Sequence, residues 1–390
     1  MVDPVVIVAA RRTPIGSFQG ALAALSAPEL GAATIRAALA DSGLPADAVS
    51  EVIMGCVLPA GLGQAPARQA ALGAGLPVGV GCTTVNKVCG SGMKAAMFAH
   101  DLLIAGSAEV VIAGGMESMT NAPFLVPRGL RMGHAELLDH MFFDGLQNPY
   151  DKQMMGMFGD QCADKYGFTR EKQDAFAIES VKRANRALAE GDFVDEIAPV
   201  MVKTRKGDVE VATDEEPPRC NIEKIPTLKA AFRRDGGTVT AASSSSISDG
   251  AAALVMMRES TAKARGLVVL AHVVGHAGHA HEPGWFTTAP VKAISSLHEK
   301  LGWSADTVDL YEINEAFAVV TMAAMHELGL DHAKVNVNGG ACALGHPIGA
   351  SGARLMVTLL HALKRRGLKR GIASLCLGGG EATAIGLEIA

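Results

Sequence analysis

The stretch Val85-Asn-Lys-Val-Cys-Gly-Ser-Gly-Met-Lys94 stops an apolar run at one cysteine and opens a helix with two glycines. A thiol at such a junction faces unpaired backbone N–H groups and the positive end of a helix dipole. Its pKa is expected to fall, which would make Cys89 a ready nucleophile. Gly90 and Gly92 add no Cβ, so a substrate is expected to approach the backbone there. A free cysteine is more ordinarily a small buried hydrophobe, and the glycine frame alone does not decide between the two readings.

A second stretch has the same form. Val335-Asn-Val-Asn-Gly-Gly-Ala-Cys-Ala-Leu-Gly-His-Pro-Ile-Gly-Ala-Ser-Gly-Ala-Arg354 reads as a strand, a glycine-rich turn and a Ser-Gly helix start, and it carries His346. Imidazole titrates near neutrality and can take a thiol's proton. A further echo follows each stretch: Val110-Val-Ile-Ala-Gly-Gly115 is matched by Ile372-Ala-Ser-Leu-Cys-Leu-Gly-Gly-Gly380. Two duplicated α/β halves facing each other would bring glycine-rich strand ends to one pocket, collecting Cys89, His346 and Cys376.

The elements that must position these groups alternate along the chain. Val5 to Ala10, Glu51 to Val57 and Glu109 to Ala113 read as buried strands, and Arg11 to Gly16 as a loop. Pro28 to Asp41, Pro66 to Leu72 and Met93 to Ile104 read as helices, the first with proline near its start and Gly43 past its end. Later, Leu267 to Val274 and Val308 to Ile313 read as strands, Val291 to Leu301 and Ala316 to Leu328 as helices. Such alternation predicts α/β layering. From Met116 to about Thr238 methionine, proline and charge increase, which predicts an inserted loop domain with one clear helix capped by Thr169. Thr240-Ala-Ala-Ser-Ser-Ser-Ser-Ile-Ser-Asp-Gly250 reads as an ordered, hydroxyl-lined loop before an apolar helix-like run, Ala251 to Met257.

Composition limits the partners. The chain has 390 residues, 49% hydrophobic and 19% charged, with 44 glycines and a net charge of −5. It is long enough for two or three domains, and no basic block suggests nucleic acid. Seven cysteines without paired short spacings predict a reducing, cytoplasmic setting. No signal peptide or membrane span is expected.

Taken together, the Cys89 stretch, Asn314-Glu-Ala-Phe-Ala318, Gly339-Gly-Ala-Cys-Ala-Leu-Gly-His-Pro-Ile-Gly-Ala-Ser-Gly352 and Cys376-Leu-Gly-Gly-Gly380 resemble the thiolase family, acetyl-CoA acetyltransferases in particular. The resemblance runs nearly end to end. It implies an α/β thiolase fold: two duplicated βαβαβαββ halves in five layers with an inserted loop domain, in a homo-oligomer, dimer or tetramer. The expected division is residues 1–118 plus 248–269 for the first half, 119–247 for the loop domain and 270–390 for the second half. The implied activity is reversible condensation and thiolysis between acetyl-CoA and acetoacetyl-CoA or another short-chain 3-ketoacyl-CoA, through an acyl group on Cys89 by a ping-pong route. No cofactor is implied, coenzyme A thioesters being the substrates.

By the same resemblance His346 takes the proton of Cys89, and Cys376 acts as acid or base at the α-carbon of acetyl-CoA. One oxyanion hole combines His346 with a water held by Asn314; the other uses the backbone N–H groups of Cys89 and Gly378, glycine making the approach possible. Ser245 is placed along the pantetheine arm, Arg219 near the adenine, and Leu146, Met155, Ala316 and Phe317 along the channel. Several positions depart from the family pattern: Ser243 to Ser246 replaces Asn-Ala-Ser-Gly, Met154 replaces a histidine, and Phe286, preceded by Trp285, replaces a methionine near the acyl pocket. Pro217 stands where the potassium-activated branch has tyrosine, so no potassium requirement is expected. His272, His276, His279 and His281 crowd one stretch but fit no zinc spacing, and no metal is expected. Two other readings share parts of this pattern. A decarboxylating ketoacyl synthase would not need Cys376, and a non-catalytic acyl-CoA-binding relative would not need the intact set.

Overall fold

The structure, a computed structural model, describes residues 3–129 and 131–390. Met1, Val2 and Leu130 lie outside the described residues. The strands, in chain order, are β1 (Val5–Arg12), β2 (Gly16–Ser17), β3 (Glu51–Gly55), β4 (Gly81–Val85), β5 (Val110–Ser118), β6 (Phe124–Leu125), β7 (Leu138–Asp139), β8 (Val200–Thr204), β9 (Gly207–Val211), β10 (Ser248–Arg258), β11 (Ala271–Ala280), β12 (Leu310–Ile313), β13 (Arg370–Leu377) and β14 (Glu381–Ile389). The α-helices are α1 (Ala27–Ser42), α2 (Pro66–Gly73), α3 (Ser91–Ala105), α4 (Met155–Tyr166), α5 (Arg170–Ala189), α6 (Glu259–Ala264), α7 (Ala289–Leu301), α8 (Ala318–Leu328), α9 (Ala341–Leu344) and α10 (Ser351–Arg366).

Strand pairing makes the duplication explicit. In the first half β1 pairs antiparallel with β10, β10 antiparallel with β5, and β5 parallel with β3. The second half repeats this with β11, β14, β13 and β12 in the same senses. The parallel β3–β4 pair is echoed by a single parallel bridge between Tyr311 and Val335. The halves join where Val5, Val6 and Ile7 pair antiparallel with Val273, His272 and Ala271.

The cores give the layers. α3 and α10 share one buried cluster with strands of both halves, which makes them the middle layer. α1 and α2 cover the outer face of the first half-sheet, and α7 and α8 that of the second. The close crossing of the middle helices requires glycine. A Cβ on Gly352 would overlap the backbone nitrogen of Met93, and one on Gly92 would lie 2.9 Å from that of Ala353. Gly352→Ala is therefore expected to destabilise the protein by roughly 2–4 kcal/mol, read as a lower urea midpoint, since backbone rather than a flexible side chain must yield. An unchanged midpoint would show that the helices can separate freely.

The run expected to be helical, Ala251 to Met257, is instead the middle of β10. Successive residues serve two cores: Ala252, Leu254 and Met256 face α3 and α10, whereas Ala251, Ala253, Val255 and Met257 face α1 and α2. A strand buried on both faces shows no polar alternation, so its pattern cannot be told from a buried helix. β1 likewise runs two residues into the expected loop, because Arg12 is fully buried and ion-paired there.

The insertion carries two long helices where one was expected. α4 is methionine-rich and closed by Gly167 in the left-handed conformation; Thr169 caps α5, accepting from the N–H of Lys172 at 3.4 Å. Carboxylates pin this region to β1. Arg12 donates to Asp214 through two nitrogens, at 2.7 and 2.8 Å, and also to Glu196. Glu215 accepts from the N–H groups of Ser17 and Ala21, both at 2.9 Å. The insertion is thus pinned to the start of the first half.

Candidate active site

Cys89 lies just ahead of α3, in a turn with a marked conformation. Val88 has φ of 46°, a left-handed geometry that strains a β-branched residue by about 1–3 kcal/mol. Local hydrogen bonds hold it. The Val88 N–H donates to Asn86 Oδ1 at 3.0 Å, and the Val88 carbonyl accepts from the Ser91 hydroxyl at 2.6 Å. The second half uses its equivalent serine differently. Ser351 Oγ donates to the Pro347 carbonyl at 2.9 Å and lies 2.6 Å from His346 Nδ1. A hydroxyl has one proton, and Pro347 takes it, so Nδ1 must be the donor to Ser351. This tautomer leaves the Nε2 lone pair free to act as a base, with the Asn314 amide nitrogen 3.4 Å away. Among the described residues Asn314 Oδ1 is buried without a protein partner.

Neighbouring loops fix the rest. The His346 N–H donates to the Ser246 carbonyl at 3.1 Å, and Ser244 forms an antiparallel bridge with Phe317. The serine run is therefore an ordered wall, as its residues predicted. Glu117, buried beneath the site, accepts from the N–H groups of Val57 at 2.9 Å, Leu58 at 3.2 Å and Gly349 at 2.9 Å. Glu315 accepts from Ser180, Asn336 and the Cys342 N–H. Cys342 sits in the single turn of α9 and belongs to this scaffold.

A cavity of about 380 Å³ opens on Cys89, His346, Cys376 and Gly378. Leu146, Met155, Ser245, Phe286, Ala316 and Phe317 also line it. Asn314 stands behind His346 rather than on the wall. Arg219 is the exception: it is 61% exposed, paired with Glu215 at 2.7 Å, and not part of the lining. Sequence reasoning missed Phe142, Phe232 and Ile348 on the wall, and Ser351 behind the histidine. Only Ser351 had a visible signal, its match to Ser91 in the repeated Ser-Gly start.

The electrostatics reverse one expectation. Burial pushes the Cys89 thiol up to about 11, and the N–H groups of Gly378 and Cys89 only partly offset it. Desolvation outweighs the helix end, so Cys89 rests as a thiol. Burial, with the charge of Arg354, lowers His346 to about 3, which keeps the imidazole neutral. Cys376 is raised well above the ordinary thiol range by burial and then by Cys89 facing it. The glycines also serve other ends than expected. A Cβ on Gly90 would strike Leu377, and Gly92 meets α10, so neither opens the backbone to substrate. A Cβ on Gly378 would make only ordinary contacts, 3.4 Å from Val88, so packing does not demand glycine there.

A duplicated α/β fold whose paired helix starts and strand β13 bring two thiols and a neutral imidazole into one cavity defines an enzyme of thiol-based acyl transfer. Residues 5–260 match the family described as thiolase, N-terminal domain, and residues 267–389 that described as thiolase, C-terminal domain. The chain belongs to the thiolase family. It is 52% identical to an acetyl-CoA acetyltransferase of Pseudomonas aeruginosa over 388 residues, 98% of each chain. It is 49% identical to one of Cupriavidus necator, covering 98% of this chain and 99% of that one. Its fold superposes on the crystal structure of Acat5 thiolase from Ascaris suum in complex with coenzyme A, with a TM-score of 0.94 at 44% identity, covering 99% and 100% of the two chains. The five-layered thiolase fold expected from the motifs is the fold observed.

Proposed function

We propose that the protein is an acetyl-CoA C-acetyltransferase, interconverting two acetyl-CoA with acetoacetyl-CoA and free coenzyme A. The observation that carries this reading is the convergence of Cys89, His346, Cys376 and Gly378 on one apolar cavity. In the thiolysis direction His346 Nε2 takes the Cys89 proton as sulfur attacks the 3-keto carbon. The bond between C2 and C3 breaks, and the departing enolate takes the proton of Cys376. Coenzyme A then attacks the acyl group; its proton restores Cys376, and His346 returns its own to Cys89. The backbone N–H groups of Cys89 and Gly378 suit one oxyanion, and His346 with Asn314, whose free Oδ1 can hold a water, suits the other.

Coenzyme A is placed along Ser245, Leu146, Met155, Ala316 and Phe317, with Arg219 at the outer rim. Phe286 closes the inner end, packed edge-on to Phe158 with centroids 6.1 Å apart. Such a wall favours short acyl groups. Phe286→Ala is expected to raise kcat/KM for 3-ketohexanoyl-CoA relative to acetoacetyl-CoA roughly tenfold, two methylenes being worth about 1.6 kcal/mol when buried. An unchanged ratio would place the acyl group elsewhere.

The neutral imidazole has a kinetic consequence. A histidine whose pKa is lowered to about 3 stays a competent base well below the ordinary value of about 6.5. Single-turnover acetyl transfer to Cys89 is therefore expected to hold its rate as pH falls through that ordinary value. A midpoint near 6.5 would contradict the buried setting.

The same reading extends to the molecule's setting. The seven cysteines are all free, which suits a reducing cytoplasm, and no helix among the described residues is long and apolar enough to cross a membrane. Phe124, Val126, Met132 and Leu137 are exposed along one arm of the insertion, which suits contact between copies in a dimer or tetramer. The division into residues 1–118 plus 248–269, 119–247 and 270–390 and a place in fatty acid metabolism belong to this proposal. The decisive assay follows coenzyme A-dependent loss of acetoacetyl-CoA beside decarboxylation of malonyl-CoA. Turnover of the first alone supports the proposal; turnover of the second alone would assign a decarboxylating condensing enzyme, and turnover of neither a carrier.

A further inference from the structure

Of the four clustered histidines of β11 and its following loop, His279 and His281 pack edge-on with ring centroids 5.0 Å apart, but the four do not meet at one point. His276 instead meets His100 and Asp101, contributed by α3 from the other half of the fold. Among the described residues these three offer ligand atoms that all lie within 4.8 Å of one another. Asp101 Oδ1 is 3.0 Å from His100 Nδ1 and 2.9 Å from His276 Nε2. Two ligand atoms bound to one metal at about 2.0–2.1 Å stand roughly 3.4 Å apart in a tetrahedral site, so the carboxylate–imidazole spacings need to open by only a few tenths of an ångström. The side chains of His100 and His276 are only 17% and 15% exposed, whereas that of Asp101 is 55% exposed. The rings are thus held by the protein while the carboxylate edge stays open to solvent and to water ligands.

We propose that His100, Asp101 and His276 form a binding site for a borderline divalent cation, Zn²⁺ or Ni²⁺, which ties the middle helix α3 to strand β11. Two imidazoles and one carboxylate suit such ions, whereas Mg²⁺ prefers oxygen ligands. The other charged group facing the site is Lys300, whose ammonium donates to the His276 carbonyl at 3.2 Å and weakens the attraction for a cation. The site is therefore of moderate affinity and separate from the acyl-transfer cavity.

Equilibrium dialysis with Zn²⁺, on full-length protein whose Cys89 has been alkylated, tests the proposal. One ion per chain is expected, with at least tenfold weaker binding in both His276→Ala and Asp101→Asn and no competition by excess Mg²⁺. Co²⁺ added in place of Zn²⁺ is expected to give a spectrum without a thiolate-to-metal charge-transfer band. Equal binding by wild type and both variants, a thiolate band, or no binding by the wild type would overturn it. Both variants lie outside the catalytic machinery, so retained acetoacetyl-CoA thiolysis serves as the check that they are folded.

Discussion

Replacing Cys376 by alanine is expected to stop carbon–carbon bond chemistry while acetyl transfer from acetyl-CoA to Cys89 stays measurable. The two thiols face one cavity with His346, and the backbone N–H groups of Gly378 and Cys89 converge on the Cys89 sulfur. Cys376 is buried and raised well above the ordinary thiol range, so at neutral pH it holds a proton to give to an enolate. Loss of one positioned acid or base lowers a rate by about 10²–10⁴-fold. Acetoacetyl-CoA thiolysis is expected to fall by that factor in Cys376→Ala, with the transfer half-reaction reduced by less than tenfold. Cys89→Ala should lose both, because no acyl intermediate can form. Equal loss of both steps in Cys376→Ala would merge the roles of the two thiols and remove the reason for having both.

The second large effect concerns stability. Arg12→Met is expected to destabilise the fold by about 3–5 kcal/mol, the cost of leaving buried carboxylates without their cation. Arg12, Glu196 and Asp214 are all shut away from solvent, and Asp214 additionally accepts from the N–H of Ile15 at 2.8 Å. Against a total stability of about 5–15 kcal/mol, this is enough to change the population of folded protein. The triple variant Arg12→Met, Glu196→Gln, Asp214→Asn should recover much of the loss, since the uncompensated charges are then gone. Urea denaturation reads both values. A loss under about 1 kcal/mol in the single variant would mean that water reaches the carboxylates.

The motifs made the site legible before its geometry. Strand, glycine turn and Ser-Gly helix start occur twice, and the repeated strand pairing of β1, β10, β5 and β3 by β11, β14, β13 and β12 is the physical counterpart. What stayed hidden depended on surroundings that a local pattern does not record. The apolar run in β10 lacks polar alternation because helices cover both faces, so periodicity pointed to a helix. The helix end beside Cys89 argued for a low pKa, yet burial by the opposite half, which brings Leu377 and Cys376, dominates. Gly90 and Gly92 invited a substrate, but their missing Cβ atoms leave room for Leu377 and α10. Arg219 turned to Glu215, a pairing four residues apart that only the folded loop reveals. The Met-rich segment of α4 has no polar N-cap, so only Gly167 marked its end.

The most direct measurement is to incubate the protein with acetyl-CoA, quench with acid, and locate the added acetyl group by peptide mass spectrometry. One acetyl group is expected on the peptide holding Cys89, in the wild type and in Cys376→Ala, removable by free coenzyme A and absent from Cys89→Ala. Acetylation confined to Cys376, or turnover of acetoacetyl-CoA by Cys89→Ala at the wild-type rate, would contradict the assignment of Cys89 as the acyl carrier.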